Sequence, residues 1–286
     1  MKILKTGTLK QKEFSNRIRF KMKIVKLKVE GLFKNSGLPI SIKDGRLLLS
    51  KDTYSSPVQK RTLDETKRFL KDPASKTEIE NLYLMYRGVK LKKDSLVFKK
   101  NSASYDITVI NPGFLGEEFV KTIGHIHPNK PRTKTTYPEI YEVIKGKALF
   151  LFQEINLSGK NVKLYLIKAG PGEKTIVPPG FGHISINIGN KPLVLSNIQS
   201  TNFKSDYSFF KKYRGAAVYA IKNNKSFKII KNPDYKNPIS FKIVKPKKIF
   251  KTPLYQAFIK NPEKFDFLKN PEKYKNFLIP KNLFRD

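Results

Sequence analysis

The sequence predicts a mainly β protein whose core is an antiparallel sandwich or barrel. From Tyr105 onward, short apolar segments recur at regular spacing, and glycine or proline turns separate them. Turns are predicted at Asn111-Gly113, Ser158-Gly159 and Gly170-Gly172. Strands are predicted at 105–110, 118–127, 139–144, 147–155, 162–169, 174–178, 183–188, 192–199 and 217–222.

The first hundred residues mix strand and helix patterns. Residues 38–49 predict two short strands around an Asp44-Gly45 turn. Thr62 and Glu65 are spaced as a capping box, which predicts that a helix begins there and ends near Asp72-Pro73. The apolar stretch 79–86 is predicted to be helical.

The chain after residue 223 is rich in lysine and proline. Two related nine-residue units, NPEKFDFLK and NPEKYKNFL, occupy 261–278 and predict two short helices with proline at the first helical position. We therefore expect an N-terminal extension at 1–100 that packs on the barrel, a barrel at 101–222, and a basic tail with short helices at 223–286.

Composition narrows the classes of protein and site. The chain has 286 residues, 39% of them hydrophobic, which is enough for one sizeable core. It has no cysteine, which excludes disulfides, thiolate zinc sites and cysteine nucleophiles. The first fifteen residues lack the apolar stretch of a signal peptide, and no window is as apolar as a membrane-spanning helix. We expect a cytoplasmic protein without a membrane partner.

The formal net charge of +35 raises the question of nucleic-acid binding. Only nine of the 58 basic residues are arginine, and the lysines are spread over the whole chain. Proteins that read duplexes depend heavily on arginine, so this pattern indicates a compositional bias. No nucleic-acid partner is expected, although a positive field would attract an anionic metabolite.

The chain contains three histidines, His125, His127 and His183, and all lie in the strand-rich part. Residues i and i+2 of a strand point to the same face, so His125 and His127 would project side by side. Imidazole is the commonest metal ligand in proteins. An H-x-H pair alone is weak evidence for a metal site, since most histidines are satisfied polar residues, and the surrounding residues decide between the two.

The residues around these histidines form a specific pattern. Six residues separate Glu139 from Gly146. Residues 172–187 follow the spacing G-x5-P-x-G-x2-H-x3-N, from Gly172 to Asn187, at every fixed position. The layout resembles the two sequence motifs of the cupin superfamily. The resemblance implies a cupin double-stranded β-helix, or jelly-roll barrel, that holds one divalent metal ion on His125, His127, Glu139 and His183.

The pattern departs from the usual cupin motif in two places. Phe119 stands where a glycine is usual, and eleven residues separate His127 from Glu139 instead of three or four. Loops tolerate insertions at low cost, so the ligand set is expected to survive. Glu142 is an alternative to Glu139, but the spacing to Gly146 favours Glu139, and Glu142 is expected to be a solvated strand residue.

Three imidazoles and one carboxylate leave open coordination positions on a six-coordinate ion, which suits a catalytic site. Our first expectation is Fe²⁺. The ligands alone do not select one ion, so Mn²⁺, Ni²⁺ and Zn²⁺ stay as alternatives.

A closer resemblance rests on the segments 117–128, 138–148 and 177–195. Their patterns T-x-G-H-x-H, E-x-Y followed by K-G, and P-P-x-x-x-H-x-x-x-N-x-G resemble those of the cupin-type phosphoglucose isomerases. The likeness covers about residues 60–222. It implies a hexose 6-phosphate substrate, a role in glycolysis and gluconeogenesis, and a homodimer.

The family's site residues carry over onto matching positions of this chain. The resemblance implies that Thr108, Thr122 and Gly124 hold the substrate phosphate, and that Tyr141 and Tyr207 line the pocket. Two positions depart from the family: a pocket tyrosine is replaced by Gln199, and a histidine is replaced by Ser205. Both changes could alter the grip on the substrate or shift specificity to another sugar phosphate.

Isomerisation would move a proton or a hydride between C1 and C2 of the sugar. In the first route Glu139 is the base, and in the second it remains a metal ligand; the sequence leaves both open. Alternative functions are a cupin dioxygenase, a nucleotide-sugar epimerase, and a non-catalytic cupin that binds sugar or nucleic acid. The sequence predicts a metal-dependent glucose-6-phosphate isomerase ahead of these.

Overall fold

A computed structural model describes residues 29–155, 161–224 and 226–286, and the turn predicted at Ser158-Gly159 lies outside them. The strands are β1 (Glu30–Gly31), β2 (Ile40–Lys43), β3 (Arg46–Leu49), β4 (Thr53–Tyr54), β5 (Gln59–Arg61), β6 (Tyr83–Tyr86), β7 (Lys90–Leu91), β8 (Ala103–Ile110), β9 (Phe114–Leu115), β10 (Glu118–Phe119), β11 (Glu139–Lys145), β12 (Ala148–Glu154), β13 (Val162–Ala169), β14 (Lys174–Val177), β15 (Phe181–Asn187), β16 (Leu193–Ser200), β17 (Val218–Asn223), β18 (Ser226–Lys231), β19 (Ile239–Pro246) and β20 (Phe284–Arg285).

Helices in the described residues are short, and none is long and apolar enough to cross a membrane. The α-helices are α1 (Phe33–Ser36), α2 (Leu63–Thr66), α3 (Ser95–Lys100), α4 (Ser208–Lys212), α5 (Leu254–Lys260) and α6 (Pro280–Leu283). The 3₁₀ helices are Lys67–Phe69, Lys92–Asp94, Pro262–Leu268 and Pro271–Tyr274.

Two sheets form the barrel. One has six strands in the order β14-β11-β16-β8-β6-β5, and the other has five in the order β15-β12-β13-β19-β20. Chain neighbours are split between them, since β11 and β14 lie in the first sheet and β12, β13 and β15 in the second. This alternation is the double-stranded β-helix topology, and the predicted mainly β cupin fold is confirmed.

The strands that carry the core are buried on both faces. Residues 139–144 of β11 are all buried, as are residues 193–198 of β16. Helix α5 and the 3₁₀ helix Pro262–Leu268 place Tyr255, Phe258, Phe265 and Phe267 in the same apolar cluster as the barrel interior. Long apolar runs in these strands therefore reflect cover on both sides of the sheet.

Two local predictions for the first hundred residues are confirmed. Strands β2 and β3 form a hairpin, and Asp44 and Gly45 have φ of 52° and 73°, as a type I′ turn needs. The capping box is present at α2, where the backbone N–H of Thr62 donates to Glu65 Oε2 at 2.9 Å.

The helix predicted at 79–86 is wrong. Residues Tyr83–Tyr86 form strand β6, which pairs with β8 and is buried on both faces. A short continuous apolar run fits a buried strand as well as a helix, so periodicity could not distinguish them.

The single strand predicted at 118–127 is also wrong, since β10 ends at Phe119 and only isolated bridges follow, at Lys121, His125 and Ile126. Gly124, with φ of 76°, has a backbone conformation that interrupts a regular strand.

The C-terminal tail contributes more than the predicted helices. The two repeats form the 3₁₀ helices Pro262–Leu268 and Pro271–Tyr274, each with proline at its start, as predicted. The strands β18, β19 and β20 were not predicted, and β19 runs parallel to β13 within a barrel sheet. The division at residues 100 and 222 stays a prediction.

Glu142 is not the solvated residue that the sequence predicted. Its side chain is 1% exposed, and Oε1 lies 2.7 Å from Lys174 Nζ, itself buried. Its other oxygen, Oε2, accepts a hydrogen bond from the backbone N–H of Leu254 at 2.6 Å. Glu142 therefore joins the barrel to the first turn of α5, and its outward position on β11 is covered by the tail.

We predict that Glu142→Gln lowers the free energy of unfolding by about 3 kcal/mol, because Lys174 would keep a buried charge without a partner. Denaturant unfolding followed by circular dichroism measures this change. The matched control is Glu154→Gln, at a partly exposed carboxylate 3.9 Å from Lys163, which should change stability by less than about 0.5 kcal/mol. Equal effects of the two substitutions would contradict the prediction.

Candidate metal centre and substrate cavity

Four side chains from distant parts of the sequence meet inside the barrel. One ligand atom from each of His125, His127, Glu139 and His183 lies within 4.8 Å of the others. Glu139 opens β11 in the six-stranded sheet, and His183 lies on β15 in the five-stranded sheet. The cluster therefore lies where the two barrel sheets face each other.

The backbone holds the two sequence-adjacent histidines against β15. The N–H of His125 donates to the carbonyl of His183 at 3.3 Å, and the N–H of His183 donates to the carbonyl of His125 at 3.1 Å. The chain comes this close because Gly124 precedes the pair. A Cβ at Gly124 would lie 2.6 Å from the Ile184 side chain, so a larger residue would push the histidines away.

The four ligand atoms are close together without forming aligned hydrogen bonds to Glu139. Its Oε2 atom lies 3.0 Å from His183 Nε2 and 3.5 Å from His127 Nε2. Within the described residues, Glu139 Oε2 and both ring nitrogens of His183 are buried and lack a hydrogen-bond partner. Buried polar atoms are rarely left unsatisfied, so this arrangement calls for a further group at its centre.

The carbonyl of Tyr137 sets the tautomer of His127. It lies 2.9 Å from His127 Nδ1, and because a carbonyl only accepts, Nδ1 carries the proton. The lone pair of the neutral ring is then on Nε2, which faces His125 Nε2 at 3.0 Å. Orientation of a ligand imidazole by a backbone carbonyl is typical of metal sites.

Burial keeps the three imidazoles neutral. It lowers the pKa of His183 to about 3 and that of His127 to about 4. The pKa of His125 is lowered well below its ordinary value, first by burial and then by His183 and His127. Burial raises the pKa of Glu139 to about 7. Neutral imidazole is the form that binds metal, and a nearby cation would favour the ionised carboxylate.

These residues fit a divalent cation. Three neutral nitrogen donors and one carboxylate face a common point, and the unsatisfied atoms of Glu139 and His183 belong to the set. The donor types suit Fe²⁺, Mn²⁺, Ni²⁺ or Zn²⁺.

A cavity next to the cluster gathers the other residues implicated by the sequence. His125 and Glu139 form part of its wall. The remaining predicted residues that line it are Thr108, Thr122, Gly124, Tyr141 and Tyr207. The structure thus places every predicted site residue either in the group of four candidate metal ligands or in the wall of the adjoining cavity.

Two of these residues are fixed by neighbouring backbone. Thr122 Oγ1 accepts a hydrogen bond from the N–H of Ser185 at 3.0 Å, which leaves its hydroxyl proton free to donate. Tyr207 follows Asp206, whose backbone exchanges two hydrogen bonds of 2.9 Å with Ile126. The Tyr207 ring centroid lies 5.5 Å from that of His125.

Sequence reasoning missed part of the cavity wall. The missed residues are Arg61, Tyr83, Met85, Arg87, Ile123 and Asn197. Tyr83, Met85 and Arg87 are two positions apart, so on an extended chain they share one face. The segment was interpreted as a helix, and that error hid the pattern.

The two positions that depart from the family pattern, Gln199 and Ser205, also line the cavity. Gln199 pairs with Glu139 in the register of β16 and β11, and its Nε2 donates to Asp106 Oδ2 at 3.3 Å. The amide is therefore engaged by a buried carboxylate.

Comparison with known proteins agrees with this geometry. A glucose-6-phosphate isomerase family model matches residues 60–237. The chain is 30% identical to glucose-6-phosphate isomerase of Thermococcus kodakarensis over 155 residues, 51% of this chain and 76% of that protein. It is 30% identical to that of Pyrococcus furiosus over 138 residues, 48% of this chain and 67% of that protein.

Among solved structures, an oxalate oxidase matches with 23% identity and a TM-score of 0.30, over 39% of this chain and 49% of that one. That likeness is too distant to carry an argument. The family match covers more than half of this chain and contains every residue of the metal cluster and the cavity wall. The chain belongs to the glucose-6-phosphate isomerase family, a family of aldose–ketose isomerases.

Proposed function

We propose that the protein is a metal-dependent glucose-6-phosphate isomerase that interconverts glucose 6-phosphate and fructose 6-phosphate. The observation that carries the proposal is the convergence of His125, His127, Glu139 and His183 beside a cavity lined by hydroxyl and glycine residues. Family membership supports the reaction, and the cluster supports the dependence on a metal.

The three histidines and Glu139 would hold the ion, with Fe²⁺ as the first candidate. A divalent cation there would supply Lewis acidity to the substrate oxygens on C1 and C2, where negative charge develops during isomerisation. A cation held there would be accessible to substrate from the cavity, since His125 and Glu139 are both part of the cavity wall.

Phosphate would be bound away from the metal. Thr108 and Thr122 offer hydroxyl donors, and the backbone at Gly124 is unobstructed by a side chain. Tyr207 and Tyr141 would enclose the sugar between the metal ligands and the phosphate-binding residues. Tyr141 is two positions beyond Glu139 on β11, and its ring centroid lies 5.7 Å from that of His183.

For the proton transfer we propose Glu139. Its Oε2 atom has no hydrogen-bond donor among the described residues, so it is not fixed by one. It would take the proton from C2 of glucose 6-phosphate and return it to C1 of the product. A hydride shift between the carbons would leave Glu139 as a ligand only.

A second candidate is an isomerase for a different hexose phosphate. The observation that favours it is the replacement of two family pocket residues by Gln199 and Ser205, which both line the cavity. Mannose 6-phosphate therefore belongs in any substrate panel. We further propose a homodimer and a role in glycolysis and gluconeogenesis, as the family resemblance implies, together with a cytoplasmic location.

We predict that the purified protein interconverts the two hexose phosphates without nucleotide, and that a chelator lowers the rate at least about 100-fold because the Lewis acid is lost. A coupled assay on fructose 6-phosphate, with elemental analysis of the same sample, measures both. Fe²⁺ or another divalent ion should restore the rate. His183→Gln should lower metal content and rate together, whereas Glu154→Gln should keep both. Full activity after complete removal of metal would contradict the proposal.

We predict that the reaction run in D₂O places deuterium at C1 of fructose 6-phosphate, because a proton held by a carboxylate exchanges with solvent between abstraction and return. NMR of the product measures the label, and a boiled-enzyme control corrects for spontaneous exchange. Product free of carbon-bound deuterium would rule out Glu139 as the proton carrier and leave the hydride route.

A further inference from the structure

Two arginines, Arg61 and Arg87, line the cavity within the described residues. The chain has nine arginines against a large excess of lysine, so two of them in one cavity wall are notable. Arginine presents five donors in a rigid planar fork that suits recognition of oxygen-rich or anionic groups. Neither residue has a role in the function proposed above.

The carboxylate of Asp106 holds the guanidinium of Arg87 in place. Its side chain is 2% exposed, and Oδ2 accepts from Arg87 Nη1 at 2.8 Å and from Gln199 Nε2 at 3.3 Å. Oδ1 accepts from the N–H of Gly88 at 2.8 Å and from Ser104 Oγ at 2.6 Å. Four donors saturate this carboxylate, so Asp106 serves as an anchor and has no capacity left for a substrate.

The guanidinium itself is not saturated. Nη1 binds Asp106, and Nη2 lies 3.2 Å from the weak acceptor Met85 Sδ. The Arg87 side chain is 33% exposed and lines the cavity. Donors therefore remain for a ligand. Gln199, which replaces a family tyrosine, donates a hydrogen bond to Asp106 and thereby helps to hold Arg87 in position.

The strand register orders these groups along the cavity. Glu139 on β11 lies opposite Gln199 on β16, and Gln199 lies opposite Ser104 on β8. We call this end of the cavity, which is nearest Glu139, the metal end. Asp106, which binds Arg87, lies two positions further along β8, and Thr108, opposite Met85 on β6, lies two positions beyond Asp106. Each such step is about 7 Å along the strand. Arg87 thus lies between the metal end and the threonines proposed for phosphate.

Arg61 lies at the opposite end of this order. It pairs with Tyr83, and Tyr83 pairs with Ile110, one step beyond Thr108. Its Nη1 is held by Glu65 Oε1 at 2.9 Å, and the other oxygen of Glu65 completes the capping box of α2. Arg61 Nε is buried without a hydrogen-bond partner among the described residues.

We propose that the two arginines divide the substrate between them. Arg87, fixed by Asp106, contacts the sugar oxygens at the carbonyl end, and Arg61, fixed by Glu65, contacts the phosphate. This inference rests on the proposed sugar-phosphate function and assigns two substrate-binding residues to it. The contribution of Arg87 to binding affinity would depend on the charge at C1 and C2 of the ligand, whereas that of Arg61 would depend only on the phosphate.

Two probes that differ at C1 separate these roles. 6-Phosphogluconate carries a carboxylate at C1, and sorbitol 6-phosphate carries a neutral hydroxymethyl group there. Titration calorimetry on the metal-loaded protein measures both affinities. Arg87→Gln should weaken 6-phosphogluconate at least about ten-fold more than sorbitol 6-phosphate. Arg61→Gln should weaken both probes by the same factor, about ten-fold or more.

Controls address charge and folding. Arg68→Gln removes one exposed positive charge outside the cavity and should change neither affinity. Arg87→Gln leaves Asp106 buried without its cation, so the double variant Arg87→Gln with Asp106→Asn removes both charges and should show the same selective loss with less destabilisation. Thermal melts of each variant confirm that it is folded.

The outcomes distinguish this inference from the proposed function. Equal weakening of both probes by Arg87→Gln, or unchanged affinities in a folded double variant, would overturn the role of Arg87. Unchanged affinities in Arg61→Gln would overturn the role of Arg61, and failure of the parent protein to bind either probe would overturn both. If the variants change the two affinities as predicted but the parent protein does not interconvert hexose phosphates, the isomerase proposal is refuted and the roles of the two arginines stand.

Discussion

The convergence of His125, His127, Glu139 and His183, a donor set that could hold a cation, is the constraint on which the site depends. Three other buried carboxylates of the described residues each have a basic partner: Glu118 with Lys121, Glu142 with Lys174, and Asp106 with Arg87. Glu139 is equally buried but has only imidazoles within ion-pair distance, and burial keeps those neutral. A buried charge without a partner is strongly unfavourable, so a cation held by these donors would stabilise the ionised form of Glu139.

The fold serves this constraint by bringing its two sheets together at one point. Glu139 comes from one sheet and His183 from the other, while the segment of His125 and His127 is hydrogen-bonded to β15. Gly124 permits the close approach, and the tail covers the outer side of β11 through Glu142. Residues far apart in sequence therefore meet around the four donors, and α5 contacts the outer side of the strand that carries Glu139.

The sequence predicted the parts of this arrangement that have strong local patterns. Few histidines, an H-x-H pair and the spacing from Gly172 to Asn187 were enough to identify the cluster, because each motif is one continuous stretch of sequence. The sequence failed where cover by distant segments decides the outcome. Glu142 has the local pattern of an exposed strand residue and is buried by the tail. The apolar run of β6 fits a helix or a buried strand, and its pairing with β8 decides for the strand. Arg87 directly follows β6 and was missed with it, and Arg61 on the neighbouring strand β5 was also not identified.

Anomalous diffraction from a crystal of the metal-loaded protein, collected at the absorption edge of the bound ion, tests the central claim most directly. The account predicts one strong peak about 2.0–2.2 Å from an imidazole nitrogen of each of the three histidines and from a carboxylate oxygen of Glu139. A fully loaded crystal with its peak elsewhere, or with any of the four side chains turned away from the ion, would contradict it.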